Sequence, residues 1–381
     1  MLIFLSIFLI VYGSFHLLFY LRFNSAFTLD DLSRLILIAF LATMLAAPIL
    51  VQISDRSGHI LTARILAYIG FSWMALLLLF LWLSLEIDIY RLVLYALDRF
   101  FHIDVSRLTL KSRLVFMIPM TLALFITCYG FFEARLLLIE RLTIRSPKIP
   151  TSAGTIKIAQ VSDVHLGLTQ GKTRLKRIAS ILKEEKPDII VSTGDLVDGS
   201  LHSISELTDV LKEINPIYGK FAVTGNHEFY AGLENALRFT EEAGFLMLRG
   251  ESFKIPGVMI IAGVDDPTGR QMKPGRTPES KTLSVNNPDS LFVLLLKHQP
   301  VADNLTIPFD LQLSGHTHKG QIFPFNLLTS LFFIANSGYH ELADGAHLYV
   351  SRGTGSWGPP IRFLAPPEVT IIEVTNAEIT D

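Results

Sequence analysis

The stretch TIKIAQVSDVHLG, residues 155–167, decides the fold. Its first half is a short apolar, β-branched run, which reads as a buried strand. Its second half turns polar at the strand's carboxyl end and offers Asp163 and His165 one residue apart. An isolated Asp-x-His says little. This one gains weight because the pattern returns four more times.

STGDLVDG (192–199) follows the apolar run 188–194 and supplies Asp195 and Asp198. VTGNHEFY (223–230) follows the run 219–225 and supplies Asn226, His227 and Glu228. LLLKHQP (294–300) supplies His298, and LSGHTHKG (313–320) supplies His316 and His318. Further strands read at 258–264, 346–351 and 368–374, and helical periodicity at 172–186, 203–215 and 233–244. Strands alternating with helices, then a run of strands, predict an α/β domain with sheets layered between helices. In open α/β sheets, sites form beyond the carboxyl ends of the strands, so these five loops are expected to converge.

The ligand types narrow the chemistry. Imidazoles, carboxylates and an amide without thiolate suit Mn, Fe, Zn or a similar divalent ion. Seven or eight such donors exceed one tetrahedral site and fit two ions sharing a carboxylate. A pair of ions about 3.5–4 Å apart suits displacement at phosphorus. Cys128, the single cysteine, rules out an internal disulfide and a cysteine-based zinc site.

The five blocks DVH, GDLVD, GNHE, a separate His and GHTH resemble, in order, the calcineurin-like metallophosphoesterases over roughly residues 155–375. The closing YVSRGTGSWGPPIRFLAPPEVTIIEV (349–374) resembles the membrane-linked branch of that family. The resemblance implies a β-sandwich flanked by helices in four α/β/β/α layers. It implies that Asp163, His165 and His318 hold one metal, that Asn226, His298 and His316 hold a second, and that Asp195 bridges them. By the same resemblance His227 acts in catalysis, protonating the leaving oxygen or steadying the phosphate. Asp198 and Glu228 are expected as partners of the ligating histidines, and Arg352 as a donor to phosphate. Related chains often read GHTHGGQ, whereas this one has Lys319 after the histidine pair. His202, His340 and His347 fall outside the blocks and read as surface or structural.

The rest of the chain is of another kind. Half of the 381 residues are hydrophobic and 18% are charged, which points to membrane segments. Four charge-free stretches near 1–21, 35–53, 65–85 and 114–132 approach the roughly 20 residues needed to cross a bilayer. The first lacks a basic start and a small-residue cleavage site, so it reads as a span rather than a signal peptide. Glu86–Arg113 mixes apolar residues with Arg91, Asp98, Arg99 and Arg107, a pattern expected of a helix lying on the membrane surface. Residues 1–145 are thus expected to form a membrane region of four transmembrane helices, and 150–376 the phosphoesterase domain, with 145–154 between them as a linker.

Basic residues flanking the spans are nearly balanced. Those directly after the last span lean toward a cytoplasmic domain on a bacterial inner membrane. Residues 151–381 carry 20 Lys and Arg against 26 Asp and Glu, which argues against nucleic-acid binding. Lys172, Arg174, Lys176 and Arg177 read as a solvated helix face or a contact to anionic lipid. The polar stretch 265–289 reads as a flap or an unstructured loop. No Asp, Glu, Lys or Arg lies within the four spans, which favours anchoring over transport. The expected function is a membrane-anchored two-metal phosphoesterase, its substrate a lipid-linked phosphoester such as a nucleotide-linked sugar lipid. The alternative is a membrane scaffold or sensor with a silent phosphoesterase fold.

Overall fold

The computed structural model describes residues 2–199, 205–269, 287, 289–301, 308–342 and 345–377. His202 and most of the 265–289 stretch lie outside the described residues. The chain divides into two compact units, Met1–Phe132 with Gly358–Phe363, and Glu133–Trp357 with Leu364–Asp381.

The first unit is helical: α1 (Leu2–Ala26), α2 (Asp31–Arg56), α3 (Ile60–Phe101) and α4 (Ser112–Glu133). All four are long and apolar enough to cross a membrane. Small residues let α2 and α3 approach closely: a Cβ placed on Gly70 would stand 2.6 Å from that of Ala47. Such contacts are typical of helices that pack without a hydrophobic drive between them. Phe19, Phe23, Phe27 and Phe80 surround Phe116 edge-on or tilted. Large apolar side chains such as Ile10, Leu61 and Phe125 stay exposed on this unit.

The expected surface helix at 86–113 is not a separate element. Glu86–Phe101 continues α3 as one helix of 42 residues, ~63 Å at 1.5 Å per residue, and a short 3₁₀ turn, Ser106–Leu108, precedes α4. Of the charges that marked it as separate, Arg91, Asp98 and Arg99 sit on the extension and Arg107 in the 3₁₀ turn; Asp88, also on the extension, pairs with Arg22 of α1.

The second unit holds two six-stranded mixed sheets. The first has β1 (Leu138–Arg145), β12 (Glu368–Thr375), β2 (Ile156–Val161), β3 (Ile189–Ser192), β4 (Lys220–Ala222) and β5 (Leu246–Met247), in that order. The second runs β10 (Gly338–Glu341), β11 (His347–Val350), β9 (Leu311–Ser314), β8 (Phe292–Leu296), β7 (Met259–Gly263) and β6 (Glu251–Ile255). The two-residue period of β2 explains its burial on both faces. Ile156 and Ile158 face a core shared with Ile261, Leu294 and Leu313 of the other sheet. Ala159 and Val161 face the opposite way, onto Leu175, Ile178 and Leu182 of α5 (Lys172–Glu185), with α6 (Ser205–Lys212) and α8 (Leu233–Glu242), which follows the short α7 (Asn226–Ala231), contributing Leu211 and Phe239.

β2, β3 and β4 are parallel to one another, as are β7, β8 and β9. The loops after β2, β3, β4, β8 and β9 are those that carry the five motifs.

The unit begins at Glu133, ahead of the expected boundary at 150. LIERLTIR falls within the expected membrane region 1–145, yet it forms the edge strand β1, paired in parallel with β12 over eight positions from Leu138↔Glu368 to Arg145↔Thr375. Arg141 and Arg145 stay exposed, and Ile144 enters the core between the sheets. A fragment starting at residue 150 is therefore expected to melt below one starting at 133. Loss of Ile144 alone is worth about 1.5–3 kcal/mol, or about 3–12 °C for a unit of this size. Equal melting temperatures for the two fragments would contradict this role of β1.

Candidate metal centre

The five loops bring their polar residues to one buried place. Asp163, His165 and His318 offer ligand atoms close enough to share one ion, as do Asp195, His298 and His316. The Nε2 atoms of His165 and His318 face each other at 3.0 Å, and His318 Nε2 stands 3.4 Å from Asp163. Asp195 Oδ2 lies 3.2 Å from His298 Nε2 and 3.7 Å from His165 Nε2, between the two groups. Asn226 Oδ1 and His316 Nδ1 each stand 3.2 Å from His298 Nε2.

The backbone is bent to deliver these side chains. Asp163, His165, Asp195, His316 and His318 all have φ between +48° and +70°. That left-handed region costs of order 1–3 kcal/mol for residues with a Cβ and concentrates at functional sites. Two glycines permit the close approach. A Cβ on Gly225 would collide with the Asp195 carboxylate, and one on Gly315 with Ser162 and Asp163.

Neighbouring groups fix the orientations. His298 Nδ1 donates to the Thr193 carbonyl at 2.8 Å, which turns Nε2 toward the cluster. The His316 backbone N–H donates to both oxygens of Asp163 at 3.0 Å. Glu228, expected to orient a histidine, instead clamps backbone. Its carboxylate accepts from the N–H groups of Asp195 (2.9 Å), Leu196 (2.8 Å) and Gly225 (2.7 Å), so it ties the Asp195 loop to the Asn226 loop. Glu228→Gln places an N–H₂ among those donors. It should lower stability by about 1–3 kcal/mol, the usual penalty for an unsatisfied buried polar group. Unfolding in denaturant checks this; an unchanged midpoint would contradict the clamp.

Asp198 accepts from His227 Nδ1 at 3.0 Å, leaving Nε2 of His227 as its free nitrogen. The ring is flanked by Tyr230 and Trp357, centroids 5.4 and 5.5 Å away, both exposed. Gln321 holds Trp357 by two bonds to its backbone, at 2.9 and 2.8 Å. The residue after GHTHKG thus positions a distant aromatic. Trp357 lies within the closing segment 349–374, but nothing in spacing alone assigns it to His227.

Arg352 departs from expectation. Its guanidinium is committed to Glu368 and Glu140, and Tyr349 donates to the same Glu368, so it serves the sheet rather than phosphate. Of the basic set on α5, Lys172, Lys176 and Arg177 are exposed, and two of the four residues also hold backbone. Arg174 donates to the Ala134 carbonyl and Arg177 to that of Arg135, and burial lowers Arg174 to about 10. Lys319 is half-buried with φ +52°.

Without metal, the electrostatics are those of opposed buried charges. Burial raises Asp163 to about 6. Burial lowers His165 to about 4 and His316 to about 3, so both are neutral and able to coordinate at neutral pH. Burial also acts to raise Asp195, but His298 and His227 outweigh it and hold the carboxyl well below its usual range. His227 is the counterpart: burial acts to lower it, and Asp195 with the Asp198 bond raises it to about 9. Burial and the Asp195 charge push Glu228 up to about 7. The donor set fits a divalent cation. Nδ1 of His165 is buried with no hydrogen-bond partner, and imidazole nitrogens and carboxylates crowd together as they do around an ion.

Residues 156–320 match the calcineurin-like phosphoesterase family. An uncharacterized metallophosphoesterase of Aquifex aeolicus is 40% identical over 67% of this chain and 98% of its own. The chain belongs to the calcineurin-like metallophosphoesterases. As a metallophosphoesterase of this family it is a metal-dependent hydrolase. The metallophosphoesterase YkuE of Bacillus subtilis, also uncharacterized, is 34% identical over 61% of this chain and 84% of its own. A transmembrane protein with metallophosphoesterase domain from Danio rerio is 31% identical over 60% of this chain and 55% of its own.

Proposed function

We propose a membrane-anchored phosphoesterase with two divalent ions that hydrolyses phosphodiester, phosphomonoester or pyrophosphate bonds. The observation that carries this reading is the two three-residue ligand groups, with Asp195 of one also reaching His165 of the other. Asp163, His165 and His318 would hold one ion, Asn226, His298 and His316 the other, with Asp195 shared. Bound there, the ions supply Lewis acidity toward water and toward the phosphoryl oxygens. His227 also lies near His165 and Asp195, but its bond to Asp198 favours a proton-handling role. With Nδ1–H donated to Asp198, Nε2 is left as the donor to a departing oxygen. Asp198 steadies the imidazolium and fixes the ring. Glu228 keeps the Asp195 and Asn226 loops in register. The four apolar helices support a membrane location, and the substrate is then a membrane-borne phosphoester, such as a nucleotide-linked sugar lipid.

The test is turnover of bis(p-nitrophenyl) phosphate against p-nitrophenyl phosphate with Mn, Zn, Fe or Mg, each after chelation. Metal-dependent turnover of either ester supports the reading. Failure with every metal, in protein that binds them, would favour the scaffold.

A further inference from the structure

One helix of the second unit has an inverted surface. α9 (Phe325–Phe332) buries none of its residues. Leu331 and Phe332 are each 77% exposed, and Leu327, Leu328 and the following Ile334 just over half. Leu327 and Leu331 stand one turn apart, as do Leu328 and Phe332, so they form an apolar stripe. An exposed patch of this kind on a packed domain marks an interaction surface.

The helix is firmly held. Thr329 Oγ1 donates to Asn336 Oδ1 at 2.8 Å, and Thr317 Oγ1, inside the His-Thr-His turn, donates to the Asn336 carbonyl at 2.6 Å. The Phe333 ring meets His316 edge-on, centroids 5.2 Å apart. α9 is therefore fastened to the turn that carries two of the proposed ligands.

The occupant follows from charge and connection. No Asp or Glu occurs from Leu311 through His340, and Lys319 lies in that stretch, so anionic headgroups meet no repulsion from it. α4, apolar enough to cross a membrane, ends at Glu133, and β1 starts at Leu138. The intervening residues reach only ~14 Å when extended, so the unit is leashed close to any bilayer that α4 enters.

We propose that α9 lies in the interfacial layer of the bilayer, with its leucine and phenylalanine stripe among the acyl chains. Short apolar helices seated this way sink roughly 5–10 Å into the headgroup boundary. The His-Thr-His turn is thereby held at headgroup level, and the substrate is an amphiphile whose phosphate sits there. The substrate part rests on the phosphoesterase reading; the placement of α9 does not.

The experiment uses the full chain in proteoliposomes of phosphatidylcholine and phosphatidylglycerol, in a Cys128→Ser background. Nitroxide labels go on Leu331→Cys or Phe332→Cys, with Glu242→Cys on α8 as an exposed reference. Relaxation by oxygen and by a water-soluble nickel chelate is measured at each. The expected result is strong oxygen and weak nickel relaxation at both α9 positions, and the reverse at residue 242. Nickel relaxation equal to the reference would overturn the proposal. Shielding from both reagents would also overturn it, since the stripe would then be covered by protein. The second arm compares methyl and dodecyl p-nitrophenyl phosphate on the Leu331→Gln, Phe332→Gln double variant. The KM for the dodecyl ester should rise about tenfold, with methyl-ester turnover kept within about twofold. Equal losses on both esters would remove the amphiphile assignment. The label result stands even if neither ester is cleaved, so failure of the phosphoesterase reading is told apart.

Discussion

Asp195→Asn is expected to release metal and to lower kcat/KM by about 10³-fold or more. The substitution keeps the side chain's shape, and an amide oxygen can still accept the His227 backbone N–H that now bonds Asp195 Oδ1 at 2.8 Å. What disappears is the charge between the two ligand groups. Loss of about 4 kcal/mol of transition-state stabilisation corresponds to that thousandfold, a modest share of what metal ions supply to displacement at phosphorus. Elemental analysis of metal per chain, alongside turnover, checks both halves. A variant retaining two metals and full activity would remove Asp195 from the bridging position.

His227→Ala should behave differently, lowering turnover by about 10²–10⁴-fold, or about 3–5 kcal/mol, with metal content unchanged. The loss should be larger for an alkoxide leaving group, which needs a proton, than for p-nitrophenolate, which departs without one. The pH dependence has a definite sign. His227 is raised to about 9 in the metal-free protein, and bound cations would oppose the imidazolium and draw it lower. Activity that needs the protonated ring is present below that pKa and falls as pH rises through it, at or below about 9. The alanine variant should lack that alkaline limb. Equal loss on both esters with an unaltered pH profile would leave His227 as a phosphate-positioning residue only.

The motif residues were legible because the chemistry is concentrated in short blocks at strand ends. Asp163, Asp195, Asn226, His298 and His316 follow β2, β3, β4, β8 and β9, and a parallel arrangement sends all those ends to one edge. Roles set by distant partners were not legible. Glu228 sits beside His227 in the chain, yet bonds backbone more than thirty residues away. Arg352 meets Glu140, on a strand whose charged residues hid its pairing with β12. The end of α3 was not legible because charges look the same whether one long helix continues or a second helix begins. α9 was missed because an apolar eight-residue run carries no mark of whether it faces core, solvent or lipid.

The proposed ligands divide between the two sheets. Asp163, His165, Asp195 and Asn226 follow strands of the first, and His298, His316 and His318 follow strands of the second. An ion bound by residues from both would be a cross-link over the open end of the sandwich. Its binding energy would then resist the sliding apart of the sheets. Ligand binding to the native state alone stabilises it by RT ln(1 + [L]/Kd), about 4 kcal/mol at a thousandfold excess over Kd. Chelation should accordingly speed exchange of amide hydrogens in β3 and β8 together, although they belong to different sheets. The reaction centre would then double as the clasp of the fold.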